Sequence, residues 1–324
     1  MKTCFISPIN VNGKLPRDFN NLSVVVSWPV ASDSDIINVY GLSQSDLGNT
    51  TPQYDIGVII LPKDISNLNL DSLLVNARKL CKKIGHMQEG SHWYYQDYKY
   101  ADQIRYLNFV GSMDILFAHS KTDVPYYSGI YKKKTYTIQT LIVDDGLRAK
   151  NVTPERNGEV IIGGNFCSWY SGIDSYFVAR NFNKPIWVPS MGRKIENEEH
   201  TPNLNHLPFL EWTDWMIALS KFSYGVHLMR PRVAGTFALN CSYWGIPCIG
   251  YKGLDTQQIL HPELSVDTGD IENANKLAIQ LRDDKDFYNQ CVETTKTSYE
   301  KYYTEQVWLK LWKEMCNDIL ANTK

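Results

Sequence analysis

Along the chain, short continuous apolar runs alternate with stretches whose apolar residues recur every three or four positions. The first pattern predicts strands buried on both faces, the second amphipathic helices. In the first half, residues 23–27 and 56–61 are expected as strands. Residues 72–84 carry Leu73, Leu74, Ala77, Leu80 and Cys81 at helical spacing, with Gly85 as the C-cap. A helix over 100–110, a strand over 114–119, a short helix over 124–130 and a strand over 135–143 follow. The periodicity lapses over 144–158, which reads as a linker.

A second series begins with a strand over 159–162, a helix over 173–181, a strand over 185–188 and a helix over 212–221. Next come a strand over 224–228, a helix with Ala234, Phe237, Ala238, Cys241 and Trp244 on its buried side, and Gly245 to end it. A strand over 247–249 and helices over 271–282 and 285–302 complete the series. The last helix, 305–320, carries Trp308, Leu311, Trp312, Met315 and Ile319 in one stripe. A stripe of that kind must pack, and a return onto the first half is the natural solution. The expected fold class is therefore α/β, with two Rossmann-like domains facing across a cleft. Residues 1–148 with 303–324 form the first domain, and 158–302 form the second.

Composition narrows the function classes. The 324 residues are 43% hydrophobic and 21% charged, with a net charge of −2, so no global basic field draws the chain to nucleic acid or anionic lipid. A local basic cleft can sit on a neutral protein, and the run Tyr131-Lys-Lys-Lys-Thr135 is one such patch or a solvated loop. No segment has the apolar length to span a bilayer, and the N-terminal apolar run is too short for a signal peptide. Seven cysteines without a C-x-x-C pair argue against a zinc cluster or a disulfide framework and suit a reducing cytoplasm.

Candidate chemistry collects at predicted strand ends. In the second half, Arg230 and Arg232 precede Gly235-Thr236 at a helix start. Free amides and the helix dipole there attract phosphate, and guanidinium forks fit a diphosphate. The same unit also serves as a plain crossover in proteins that bind nothing at it. Gly163-Gly164-Asn165 follows a strand and would let backbone approach a ligand; Gly-Gly is also common in turns. Arg193 and Lys194 are phosphate candidates or residues of a solvated loop. Asp255, Thr256 and Gln257 stand where sugar hydroxyls would be met, with helix capping by Asp255 as the alternative. In the first half, Glu89 and His92 lie in a segment dense in acid, imidazole and aromatic groups, and His119 ends a strand. These are the candidates for base and acceptor handling, or core residues that hold their loops. No P-loop, G-x-S-x-G elbow, H-E-x-x-H or G-x-G-x-x-G is present. The diphosphate chemistry is expected to rely on a helix terminus and arginines, with no metal, no D-x-D clamp and no cofactor.

The strand, the Arg-x-Arg and Ala-Gly-Thr residues, the helix and the closing Gly245-Ile-Pro-Cys-Ile-Gly250 together resemble the GT-B glycosyltransferases. The stretch from Gln88-Glu89-Gly90 to Asp97-Tyr98, with Asp114-Ile-Leu-Phe-Ala-His119, resembles the N-terminal domain of bacterial and phage members. The resemblance implies transfer of a sugar from a nucleotide-diphosphate sugar to an acceptor hydroxyl. It brings in a DNA base, a glycan or a small molecule as acceptor, a hydroxymethylated base among them, and a cytoplasmic setting, the host's if phage-encoded. Many retaining members carry two glutamates seven residues apart at the donor helix. Here Thr236 and Asn240 occupy that helix, which leaves retention or inversion open. A nucleotide-sugar epimerase of the same fold and a non-catalytic two-lobed binding module are the competing readings.

Overall fold

The computed structural model describes residues 1–48, 50–190 and 198–322. The chain divides into two compact units: Met1–Arg17, Val24–Gln139 and Glu305–Lys324 in the first, Asp18–Ser23 and Thr140–Thr304 in the second. The chain therefore passes from the first unit to the second after Gln139, ahead of the lapse in periodicity.

Among the described residues the first unit is built on a six-stranded parallel sheet of order β2-β1-β3-β4-β5-β6. The strands are β1 (Thr3–Ser7), β2 (Asp35–Asn38), β3 (Tyr54–Ile60), β4 (Cys81–Met87), β5 (Ile115–Ala118) and β6 (Thr135–Thr137). Its helices are α1 (Val24–Ala31), α2 (Val39–Gln44), α3 (Leu70–Leu80), α4 (Tyr100–Gly111) and α5 (Val124–Tyr131). The run 23–27, expected as a strand, lies largely in α1, whose residues are all buried except Val24. A helix covered on every side has no amphipathic period, so a short apolar run does not reveal which element it belongs to. The helix expected over 72–84 stops at Leu80 and passes directly into β4. Gly85 is no helix cap: it pairs with Ile115 in the sheet, where an added Cβ would lie 2.4 Å from the Phe117 ring and 2.7 Å from Ile115 Cγ1. The strand expected over 135–143 is confined to β6, and the buried Ile138, Leu141, Ile142 and Val143 continue as irregular chain.

The second unit has its own parallel sheet, of order β12-β11-β10-β7-β8-β9 among the described residues. Its strands are β7 (Val160–Ile162), β8 (Ile186–Val188), β9 (Leu204–His206), β10 (Tyr224–His227), β11 (Cys248–Tyr251) and β12 (Ser265–Val266). The helices are α6 (Asp145–Ala149), α7 (Gly172–Ala179), α8 (Trp212–Leu219), α9 (Thr236–Trp244), α10 (Asp255–Leu260), α11 (Ile271–Asp283) and α12 (Lys285–Tyr302). The expected linker contains α6. Gly245 ends α9 as read from the sequence: it is left-handed (φ +67°), and Ile246 N–H donates to Cys241 O at 2.8 Å.

The last helix, α13 (Glu305–Ala321), belongs to the first unit. Trp308, Trp312, Cys316 and Ile319 are buried there; Trp312 stacks on Phe5 at 5.5 Å, and Trp308 Nε1–H donates to Gln139 O at 2.9 Å. The two parallel sheets and this return match the α/β fold class expected from the sequence.

Candidate active site

Strand order reverses once in each sheet: between β7 and β10 in the second unit, and between β1 and β3 in the first. At such a reversal the loops leaving the two strands turn apart, and the crevice beyond their carboxyl ends is where ligands bind in open α/β sheets. In the second unit the loops concerned are those the sequence singled out.

Gly163 follows β7 with its amide donating to Val226 O at 2.9 Å. A Cβ here would fall 2.6 Å from His227 Cγ and 2.7 Å from the Phe237 ring, so the β10 end and the start of α9 close onto bare backbone. Gly164 is left-handed (φ +73°), with Tyr170 packed against it. Gly235 is the left-handed N-cap of α9 (φ +69°), where a Cβ would lie 2.0 Å from Thr256 Oγ1. The first turn of α9, beginning at Thr236, holds no acidic residue to compete with an anion.

Arg230 is exposed and donates to Asp174 at 2.8 Å, and Arg232 is exposed beside Gly253. A cavity of about 660 Å³ opens at the start of α7, lined by Phe166, Ser171, Gly172, Asp174 and Arg230 among others. Three buried polar atoms nearby in the fold have no hydrogen-bond partner among the described residues: Asn165 Oδ1, His227 Nε2 and Thr256 Oγ1. They lie on the loop after β7, at the end of β10 and in the first turn of α10, the helix that follows β11. His227 was not anticipated from sequence, although it lies within the strand expected over 224–228 and ends β10. Its ring lies between Tyr170 and Phe237, and burial lowers its pKa to about 4.

Other expectations shift. Gln257 is not placed for a ligand: its buried amide donates to Cys248 O at 2.9 Å and props α10 on β11. Asp255 is the first residue of α10, with Leu254 as the cap. Arg193 and Lys194 lie outside the described residues. Two D-x-D tripeptides do occur, contrary to the expectation of none. In Asp33-Ser34-Asp35 the acids meet Lys14 and Tyr54, and in Asp284-Lys285-Asp286 the first caps α12. Both are accounted for structurally. Among the described residues no group of three or more His, Cys, Asp or Glu is arranged to hold a metal ion.

In the first unit, β4 and β5 are neighbours, so the loops after them emerge side by side at the carboxyl edge. Glu89 follows β4 and His119 follows β5. A buried relay anchors the first loop. His86 Nε2 lies 3.1 Å from Tyr106 Oη, whose hydroxyl donates to Gln88 Oε1 at 2.7 Å, and the Gln88 amide donates to Glu89 O at 3.0 Å. Burial raises the Glu89 pKa, with Lys63 opposing. His119 is 7% exposed, its ring 5.5 Å from that of Trp28, and burial lowers its pKa to about 4. His92 Nδ1–H donates to Asp123 at 3.1 Å, a partner the sequence gave no sign of. The basic run is tied down: Lys133 donates to Met113 O, and Lys134 pairs with Asp318.

Two such units, each built on a parallel six-stranded sheet among the described residues, with a terminal helix that belongs to the first, form an architecture that solved structures share. No protein-family model matches the sequence, and no curated protein matches it either. Solved structures do. Sucrose-phosphate synthase from Thermosynechococcus elongatus is similar with a TM-score of 0.66 at 11% identity, over 100% of both chains. An alpha-glucosyltransferase in complex with UDP and a 13-mer DNA containing a HMU base gives 0.62 at 13% identity, over 99% of this chain and 100% of that one. A mutant TarM of S. aureus, with UDP bound, gives 0.61 at 10% identity; 81% of this chain matches 55% of it, so the chain spans about half of TarM. At these identities the likeness is one of fold.

Proposed function

We propose that this protein is a glycosyltransferase that moves a sugar from a nucleotide-diphosphate sugar to an acceptor hydroxyl without a metal ion. The observation that carries the reading is the second unit's carboxyl edge at the β7/β10 reversal. There glycines bring backbone into reach, two helices begin, two arginines stand exposed, and three buried polar atoms lack partners among the described residues. Charge develops on the departing diphosphate, and preorganised donors aimed at it lower the barrier most effectively. Arg230, Arg232 and the amides at Gly235 and Thr236 take that role. Gly163, Gly164 and Asn165 approach the nucleotide, and Asp255 and Thr256 open α10, the helix that follows β11. The first unit handles the acceptor through the loops bearing Glu89, His92 and His119.

For the acceptor we propose a hydroxymethylated DNA base, with a sugar phosphate as the second reading. The alpha-glucosyltransferase crystallised on such DNA matches this chain from end to end, and so does sucrose-phosphate synthase. The run Lys132-Lys133-Lys134 gives no support to a DNA surface, since two of its ammonium groups are engaged within the protein.

The test is a thermal-shift screen of nucleotide sugars, followed by product analysis with the best donor. Acceptors are duplex DNA carrying 5-hydroxymethyluracil and fructose 6-phosphate, each with and without EDTA. Sugar on the DNA with EDTA present is the expected outcome. A free epimer identifies the epimerase, binding without turnover identifies the binding module, and loss of turnover in EDTA overturns the metal-free mechanism.

A further inference from the structure

The outer face of α7 carries an apolar pair in the open: Ile173 is 55% exposed and Phe177, one turn on, 52%. Single exposed apolar side chains are ordinary on a protein surface, but two stacked on one helix face form a continuous strip. The opposite side of the helix seats it in its unit. Ser175, Tyr176, Val178 and Ala179 are buried, and the Tyr176 hydroxyl donates to Pro202 O at 2.8 Å. Charges flank the strip in a particular order. Asp174 stands three residues before Phe177 and Arg180 three after it. At about 100° and 1.5 Å per residue, Asp174 lies about 60° to one side of Phe177 and Arg180 about 60° to the other, at equal distances along the axis. Arg180 continues the helical backbone (φ −57°, ψ −28°) and is exposed, its guanidinium 5.9 Å from the Tyr176 ring. Asp174 is half-buried and its Oδ2 accepts from Arg230, while a carboxylate has lone pairs for a second cation.

Such a face is its own complement. A two-fold axis through Phe177, perpendicular to the helix, lays a second α7 antiparallel on the first. Phe177 then meets Phe177, and Asp174 of each copy faces Arg180 of the other. Like charges at the two flanks would instead repel at both crossings. We propose that the outer face of α7 is where a second copy of this chain docks, forming a two-fold dimer. This stands apart from the transferase reading and needs the second unit alone. One helix face is a small contact, and interfaces below about 1,200 Å² are weak and transient, so the dimer forms and dissociates with concentration. The Phe177 pair supplies its apolar centre, and the two ion pairs at the rim fix the antiparallel direction.

The test is sedimentation of the full-length chain over roughly 10⁻⁶–10⁻³ M, the range in which small interfaces dissociate. Wild type is expected to pass from monomer to dimer as its concentration rises. Phe177→Asp should stay monomeric throughout. Arg180→Glu alone and Asp174→Lys alone should each weaken association by at least about tenfold, because each sets like charges at both crossings. An equimolar mixture of those two variants restores both ion pairs and should dimerise as wild type does. Thermal melts establish that every variant is folded. A wild type that stays monomeric over the whole range, a dimer that survives Phe177→Asp, or a mixture that fails to associate overturns the proposal.

Discussion

Gly163 shows how a single position is legible in kind but not in cause. Gly-Gly after a predicted strand points to close backbone approach, yet only the fold reveals that His227 and Phe237 fill the space of a side chain. The arginines are the converse. Their exposure and charge are readable from sequence, while the pairing of Arg230 with Asp174 joins residues far apart in the chain. That exposed pair contributes little to stability, because water screens it and ordering two side chains costs entropy. Arg232 stands exposed at the same edge, so its role is open to a direct test. Arg232→Ala is expected to weaken UDP binding by about 1.5–3 kcal/mol and leave the melting temperature in place. Calorimetry and a thermal melt on the same sample check both halves, and unchanged affinity removes Arg232 from the donor site.

At the scale of elements, the helices with an apolar stripe were readable and the strands less so. Residues 285–302 and the final helix were read almost to the residue, because one face of each meets the core and the other meets water. Five strands went unrecognised, among them β9 and β12, which are only three and two residues long. β1 and β2 lie in short runs with no contrast beside them, and β4 follows α3 without a break, so the helical period seemed to run on into it. The stripe on α13 also carries a quantitative expectation. Trp312 is 4% exposed between Phe5 and Trp308, with ring centroids at 5.5 and 5.4 Å. Trp312→Ala should cost about 3–5 kcal/mol, since it removes the contacts and leaves a cavity that rigid rings cannot fill. Urea denaturation followed by fluorescence measures it, and a loss below about 1 kcal/mol would mean that α13 does not hold its unit together.

For the whole molecule, four sealed histidines couple stability to pH. His86, His119, His227 and His261 each have a pKa lowered to about 4, chiefly because burial disfavours the charged ring. Their ordinary value is about 6.5, so below it the unfolded chain binds protons that the folded chain refuses. Stability is therefore full above about pH 6.5 and falls as the pH drops towards 4, by on the order of 3 kcal/mol at most for each ring. Melting temperatures taken between those limits should decline steadily; a flat profile would show that the rings protonate without unfolding. The sequence by itself determined the α/β class, the two series of strands and helices, the returning helix and the glycine and arginine loop. Those features follow from periodicity and from residue types whose backbone or charge admits few uses. Only the tertiary structure decided where strand order reverses, that Gln257 is internal while His227 is unsatisfied, and that Asp123 meets His92. Strand order and burial arise from contacts between residues distant in the chain, and no local pattern encodes which distant residue will be the neighbour.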